Sequence, residues 1–500
     1  MAEICVSSHH TSIAQMLEDA EFRGLANRPG FLIELRLDSY ADLSVSNFER
    51  ALKVFGPNVA VTYRHPLEGG RNPHVTDNER LGFLLHAARN GVKYVDIEAR
   101  SLPRKFDKGS SKLILSFHSF AGVPELGQLL RQWRSMRDTG ADIVKIVCLP
   151  QMVEDSVPLL RLLIQLRSAG SSVIVLGMGE AGFWTRIAGP LFGTPLTYAR
   201  GVNAPGTAPG QPSWHDLEEL YRYRQIRPGW PVYGVIGNPI AHSLSPLLHN
   251  TALRELNLDG VYIPFKVEGD PVTFVKDFEP IGLKGVSVTI PHKEAITALC
   301  AELDATGKAI GAINTLVLQP DGTWHGVNTD VDAAMDSLES VAGSLAGRKT
   351  LVLGAGGAGK AVAYGAKTRG ANVFLFDQAR ERAAALAGTL GATALAASDL
   401  AGLKADVVVN ASPVGMHPNV ENSPLKKEEI PEGGVVFDVV YNPLRTRLLK
   451  MAEERGCKTL TGLPMFIRQG LRQFELWTGK QAPYEVVERA LWAALQGSKK

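Results

Sequence analysis

From Ile4 to Arg200, short runs rich in apolar and β-branched residues recur at even intervals: "ICVSS", "LIELRLD", "VAVTYR", "YVDIEAR", "KLILSFH", "DIVKIVCL", "SSVIVLGMG" and "PLTYAR". Each is bounded by polar or turn-forming residues, as a β-strand requires. Stretches with helical spacing separate several of them, among them "NERLGFLLHAARNG" and "SVPLLRLLIQLRSAG", the latter closing on a glycine suited to a helix C-terminus. Eight strand units, each followed by a helical segment, predict a (β/α)8 TIM barrel. A doubly wound open sheet is the plainer alternative, but eight evenly spaced units favour closure. Residues 201–214, "GVNAPGTAPGQPSW", read as a loop, "HDLEELYRYRQIR" as a short charged helix, and "PGWP" as punctuation. A domain boundary is therefore placed near Pro228. Beyond it "VYGVIGN" and "GVSVTIP" suggest one α/β unit, and a second begins at Lys349 with "KTLVLGAGGAGKAVAYGAKTRGANVFLFD". No internal repeat or low-complexity tract interrupts the chain.

Composition narrows the classes of function. A chain of 500 residues exceeds one hydrophobic core. With 53 basic against 51 acidic residues the net charge is +2, which offers no field for nucleic acid or a membrane surface. The four cysteines, Cys5, Cys148, Cys300 and Cys457, match no zinc or redox spacing and fit a reducing compartment. No apolar stretch approaches a membrane span, and the N-terminus carries no Arg-rich leader or signal h-region. Cytoplasm is the default compartment, and no metal is expected.

In a barrel of this kind, side chains at the C-terminal strand ends face a common pocket. Glu34, Arg36 and Asp38 follow at a spacing of two in the second strand, so they are expected on one face. Arg64 and Glu68 follow the third strand, His118 ends the fifth, Lys145 lies within the sixth, and Arg186 follows the seventh. Each alone reads as a surface charge or a structural ion pair. Lys145 resists that reading, because apolar residues flank it on both sides and lysines are seldom buried unless paired or functional. Apolar surroundings and nearby arginines would free its amine to form a Schiff base, an electron sink that acidifies the adjacent carbon. His118 is the obvious base for that proton. Several arginines around the pair imply an anionic substrate, a carboxylate by preference.

The segments "ELRLD", "TYRHPLEGG", "SFHSF", "VKIV", "TRIAGPLFG" and "TAPGQ" resemble, in order and across the whole half, the motifs of type I 3-dehydroquinate dehydratases. The resemblance implies Lys145 as the Schiff-base lysine, His118 as general acid/base and Glu68 as its partner. Glu34, Arg36 and Arg64 would hold substrate hydroxyls and the charge balance, Arg186 the carboxylate, and Gln211 would cap the site from the last loop. Thr207 stands where bacterial members usually carry serine, and it keeps the hydroxyl.

The second α/β unit contains Gly354, Gly356 and Gly359 in GxGxxG spacing between a strand and a helix, the context for dinucleotide binding. The same letters nearly spell a triphosphate-binding loop, but Ala361 stands where that loop needs Ser or Thr for magnesium. Upstream, "GNPIAHSLSP", "SVTIPHKEA" and "GAINTL…GVNTD" are individually ordinary turns. Together, from Val232 to about Gly479, they resemble the shikimate dehydrogenase family. That resemblance implies Lys293 and Asp330 as the catalytic pair. It further implies Ser243 and Ser245 at the substrate carboxylate, and Thr289, Asn314, Tyr441 and Gln469 completing the pocket. Residues 1–227 are then the dehydratase barrel, 228–335 the substrate-binding lobe and 336–465 the Rossmann lobe that holds NAD(P). Residues 466–500 would be helices returning to the substrate lobe.

For the cofactor, Gly354, Gly356, Gly357 and Gly359 would receive the pyrophosphate. Asp377, 23 positions after Gly354, is the residue type that binds adenosine ribose hydroxyls and repels a 2′-phosphate, favouring NAD(H). NADP-dependent relatives typically carry Asn-Arg-Thr where this chain has Asp377-Gln378-Ala379. Arg382 matches their second phosphate-binding position, with Arg380 beside it, so NADP(H) stands first. The whole reading is a fused enzyme that dehydrates 3-dehydroquinate and reduces the 3-dehydroshikimate to shikimate. A catalytically dead metabolite sensor would have lost a reactive group, yet Lys145, His118, Lys293 and Asp330 all remain. Against an aldolase-like Schiff-base enzyme joined to an unrelated reductase stand the arginine set and the "APGQ" loop.

Overall fold

A computed structural model describes residues 1–497. The chain forms two compact units, one of residues 1–233, 239–241 and 259–283, the other of residues 234–238, 242–258 and the chain from Lys284 onward.

The first unit is built on eight parallel strands: β1 (Glu3–Ser7), β2 (Phe31–Arg36), β3 (Val59–Thr62), β4 (Tyr94–Glu98), β5 (Lys112–Ser119), β6 (Ile143–Cys148), β7 (Val173–Gly177) and β8 (Leu196–Ala199). They neighbour one another in the order β7-β6-β5-β4-β3-β2-β1-β8, with β8 paired to β1 as the barrel requires. Alternation along the strands sorts the interior into layers. Cys5, Leu32, Ala60, Tyr94, Ile114, Ile143, Ile174 and Leu196 form one apolar cluster. Two residues further along six of those strands stand Ser7, Glu34, Thr62, Asp96, Ser116 and Lys145, all buried and all polar. An apolar plug thus lies beneath a polar floor at the C-terminal strand ends.

Three local expectations are corrected. No α-helix follows β4, only a 3-10 turn over Ala99–Ser101; the connecting "LPRKFDKGSS" lacks helical periodicity and carries Pro103 and Gly109. The segment read as a short charged helix is a π-helical turn, Asp216–Leu220, followed by a 3-10 turn, Tyr223–Gln225. Arg222 between them takes a left-handed φ of 51°, which ends any continuous helix. Finally, β2 stops at Arg36, and Asp38 lies in the 3-10 turn Leu37–Ser39.

Two further sheets follow. In one, Val232–Gly237, Leu283–Val288, Thr315–Leu318, Trp324–Val327 and Glu302–Leu303 are successive neighbours, with Thr315–Leu318 antiparallel to both of its own. The other is wholly parallel. From edge to edge it runs Thr393–Ala394, Asn372–Phe376, Lys349–Leu353, Val407–Asn410, Val435–Asp438 and Lys458–Leu460. In chain order that is 3-2-1-4-5-6, the dinucleotide-binding arrangement, with its switch point beside the glycine loop. The helix Leu463–Thr478 packs on the helices Asp330–Ala342 and Ser245–Glu255. Among the described residues no helix is long and apolar enough to cross a membrane.

Candidate active sites

In the barrel Lys145 is 4 % exposed, and its Nζ donates to Asp96 Oδ2 at 2.9 Å while lying 3.8 Å from the centre of the Tyr198 ring. Burial and then Arg64 pull the amine below its ordinary pKa, although Asp96 opposes them. Arg64 reaches Asp96 with both terminal nitrogens at 3.1 Å, and Glu98 and Ser116 at 2.8 Å each. Burial would raise the Asp96 carboxyl, but Arg64 and Lys145 hold it well below the usual carboxylate range. On the neighbouring strand, burial, Arg64 and Lys145 together keep the His118 imidazole well below its ordinary pKa, hence neutral near pH 7. Glu68 lies 2.9 Å from His118 Nδ1 and accepts from the His118 backbone N–H at 3.1 Å. A carboxylate there selects the tautomer whose other ring nitrogen is free to take a proton. Burial and then Glu98 push the Glu68 carboxyl up to about 7.

The remaining barrel residues are distributed around this centre. Glu34 accepts from Ser7 at 2.5 Å and Thr62 at 2.7 Å. Arg36 is bound by both oxygens of Asp38, at 3.0 and 2.9 Å. Arg186 is 1 % exposed, and burial brings it down to about 10. Among the described residues its hydrogen bonds run to the Tyr198 and Pro209 carbonyls, at 3.5 and 3.4 Å, and its Nε finds no partner. No carboxylate of the described residues pairs with it, so an unusually deep cation is available for an anion. Gln211 Oε1 gathers the Thr207 N–H, the Thr207 hydroxyl and the Ala208 N–H at 2.7, 3.2 and 3.3 Å, which shapes the last loop around that side chain.

Asp96, Glu98 and Tyr198 escaped the sequence reading. Their strands were recognised, and the period-two placement of Asp96 and Glu98 in "YVDIEAR" was the available signal. Glu98 also pairs with Arg80, fully buried on the helix Asp77–Arg89.

The second unit assembles a separate site. Lys293 Nζ lies 2.5 Å from Asp330 Oδ2. The other Asp330 oxygen accepts from Asn314 Nδ2 at 2.9 Å, and that amide also reaches Thr329 Oγ1 at 2.9 Å and Gln469 Oε1 at 3.2 Å. Asp330 opens its helix, so its carboxylate lies at the positive end of the helix dipole. Tyr441 stacks on Phe466, whose carbonyl accepts from Gln469 Nε2 at 2.9 Å. Ser243 and Ser245 are tied to each other, the Ser243 hydroxyl accepting from the Ser245 N–H at 3.3 Å, and the Thr289 N–H donates to the Ile236 carbonyl at 3.0 Å. Gln473, one turn after Gln469 and unnoticed in the sequence, joins Ser287, Thr315 and the Asn314 carbonyl, holding the Asn314 backbone.

The glycine loop fits a pyrophosphate. Gly354 has a φ of 103°, and a Cβ on Gly359 would sit 1.9 Å from the Gly354 carbonyl oxygen, so neither position accepts a side chain. The helix Gly357–Thr368 starts at this loop with its first N–H groups uncapped by any side chain. Asp377 accepts from the Ala355 N–H at 2.7 Å and the Ala379 N–H at 2.8 Å, while Arg382 Nη2 would lie 3.6 Å from a Cβ on Gly356. No group of three or more potential metal ligands occurs among the described residues.

These two constellations, a lysine–histidine pair in a barrel and a lysine–aspartate pair beside a dinucleotide loop, define a fusion of a Schiff-base lyase with a nicotinamide-dependent oxidoreductase. Comparison with known proteins makes the assignment particular. Residues 4–228 match a family model described as type I 3-dehydroquinase, residues 235–316 the shikimate dehydrogenase substrate binding domain, and residues 462–491 the shikimate 5′-dehydrogenase C-terminal domain. Residues 349–441 match a model described as NADP oxidoreductase, coenzyme F420-dependent. The chain is 37% identical over 479 residues to the chloroplastic bifunctional 3-dehydroquinate dehydratase/shikimate dehydrogenase of Arabidopsis thaliana, covering 91% of this chain and 79% of that protein. It is 39% identical over 276 residues to the shikimate dehydrogenase (NADP(+)) of Methanosarcina acetivorans, covering 53% of this chain and 99% of the relative. A shikimate dehydrogenase solved in complex with NADP+ matches with a TM-score of 0.51 and 33% identity, covering 54% of this chain and 98% of its own. The chain belongs to the bifunctional 3-dehydroquinate dehydratase/shikimate dehydrogenase family.

Proposed function

We propose that residues 1–227 dehydrate 3-dehydroquinate through Lys145, and that the remainder reduces 3-dehydroshikimate to shikimate. Lobes at 228–335 and 336–465 and the C-terminal helices from 466 would share the second task. The observation that carries the first half is a buried amine on Asp96 and Tyr198, with Arg64 held on the same Asp96 carboxylate. Lys145 attacks the ketone and water leaves, giving an imine. His118 then takes the proton from the adjacent carbon through its free ring nitrogen. The same imidazolium returns that proton to the departing hydroxyl, and hydrolysis of the imine frees the product and the lysine. Arg186 holds the carboxylate, as its lack of an acidic partner suggests, and Glu34, Arg36, Arg64, Thr207 and Gln211 shape the remaining contacts.

Glu68 ties this step to pH. As pH falls through about 7, a raised carboxyl gains its proton and loses the negative charge that holds the His118 Nδ1–H and favours the imidazolium. Dehydratase kcat is therefore expected to decline on the acid side of about pH 7, and Glu68→Gln to flatten that limb while lowering the plateau. A limb unchanged in the variant assigns the titration elsewhere.

In the second half, Lys293 and Asp330 hold and move the proton at the substrate oxygen, and Ser243, Ser245, Thr289, Asn314, Tyr441 and Gln469 orient the ring. A nicotinamide, when bound, would supply the hydride. NADP(H) is placed first on Arg382 near the glycine loop and on the nucleotide named for the relatives; Asp377 keeps NAD(H) in play. Cytoplasm remains the expected compartment, and the partners are small carboxylates rather than nucleic acid or membrane. The deciding experiment gives the purified chain 3-dehydroquinate with NADPH or NADH and follows both 3-dehydroshikimate and nucleotide. Consumption of nucleotide fed by dehydroquinate supports the reading, whereas dehydration without nucleotide oxidation removes its second half. In the same assay Asp377→Ala is expected to raise the NADPH-to-NADH ratio of kcat/KM about tenfold, the scale of one lost charge–phosphate repulsion. An unchanged ratio ends the role given to Asp377.

A further inference from the structure

The catalytic lysine of the second site meets the nucleotide-binding helix at two points. A Cβ on Gly357, the first residue of the helix Gly357–Thr368, would lie 2.8 Å from Lys293 Cδ, so the bare glycine lets the lysine stem pack against the helix start. One turn on, Lys360 Nζ pairs with Glu294 Oε2 at 2.9 Å, and Glu294 is the chain neighbour of Lys293. The Lys293 carbonyl is itself fixed by the Ile313 N–H at 2.9 Å. Lys293 is thus clamped between its own lobe and the helix whose N-terminus would receive the pyrophosphate.

We propose that Lys360 and Glu294 are a positioning pair that sets Lys293 against the nucleotide-binding helix, and so fixes the distance from proton donor to hydride donor. The proposal rests on Lys293 being the catalytic lysine. Hydride transfer depends steeply on that alignment, and the two reacting partners are held by different lobes. The pair is part-exposed, with Lys360 21% and Glu294 50% accessible, so its worth to folding is small and any large effect must come through geometry. Neither residue touches the reacting atoms. Their removal should therefore change turnover and leave the occupancy of the substrate pocket alone.

The test measures shikimate oxidation by the full chain, with dehydratase activity as an internal check on the preparation. Lys360→Met and Glu294→Gln are each expected to lower kcat about tenfold with KM for shikimate within about twofold, since small misplacements of a reacting group cost this much. The exchange Lys360→Glu with Glu294→Lys should restore kcat to within about threefold of the parent, because the ion pair is rebuilt in reverse. Single variants with parental kcat, an exchange no faster than the single variants, or a rise in nucleotide KM with kcat retained would each overturn the proposal. Lys293→Ala runs alongside. If it keeps full oxidation, the assignment of the site fails; if it loses oxidation while the pair variants do not, only the positioning role fails.

Discussion

Lys145→Ala is expected to lower dehydratase turnover by on the order of 10⁴-fold or more, the scale on which loss of a catalytic nucleophile acts. The barrel should survive the change. Asp96 keeps a bidentate bond from Arg64 and a 2.6 Å bond from the Ser116 hydroxyl, so no charge is left stranded when the amine goes. Shikimate oxidation in the same chain is expected to stay within about twofold, because Lys293, Asp330 and their partners belong to the other compact unit. Steady-state assays of both activities on one preparation check this directly. Joint loss in a folded variant would contradict the independence of the two sites.

Asp330→Asn is the mirror experiment. The substitution keeps size and removes the charge that faces Lys293 at 2.5 Å and accepts from Asn314. Shikimate oxidation is expected to fall about 10²–10⁴-fold in kcat, the usual weight of a positioned proton-transfer group. KM for shikimate should change little, since Ser243 and Ser245 are tied to each other and Thr289 to the Ile236 carbonyl, none of them through Asp330. Dehydratase activity should be untouched. A kcat within about tenfold of the parent would remove Asp330 from the proton path.

Strand periodicity was the most legible feature. Residues at a spacing of two, such as Glu34 and Arg36 or Ser116 and His118, announce a shared face before any fold is known. What such a pattern cannot announce is which charge answers which. Arg64 and Asp96 are 32 residues apart, and their pairing follows only once β3 and β4 are neighbours in the barrel. For that reason Lys145 was foreseen as a depressed amine among arginines, while its anchoring carboxylate was not. The same holds for Gln473 on Ser287, 186 positions away, and for Lys360 on Glu294. Helical spacing of charged residues is a poor guide where no continuous apolar stripe accompanies it. In "HDLEELYRYRQIR", Leu217, Tyr221 and Tyr223 each find buried sites, and the chain bends at Arg222 to bring them there. The glycine loop was fully readable, because its spacing reports backbone contact within a few residues rather than a distant partner.

During turnover the Lys145 amine, deep in the barrel and next to Asp96, is expected to become covalently joined to a keto acid. Borohydride added to the chain with 3-dehydroquinate, followed by peptide mass analysis, tests it most directly. The account predicts irreversible inactivation of dehydration and a reduced adduct on the peptide carrying Lys145, absent without substrate. Full retention of activity, or an adduct confined to other lysines, would contradict it.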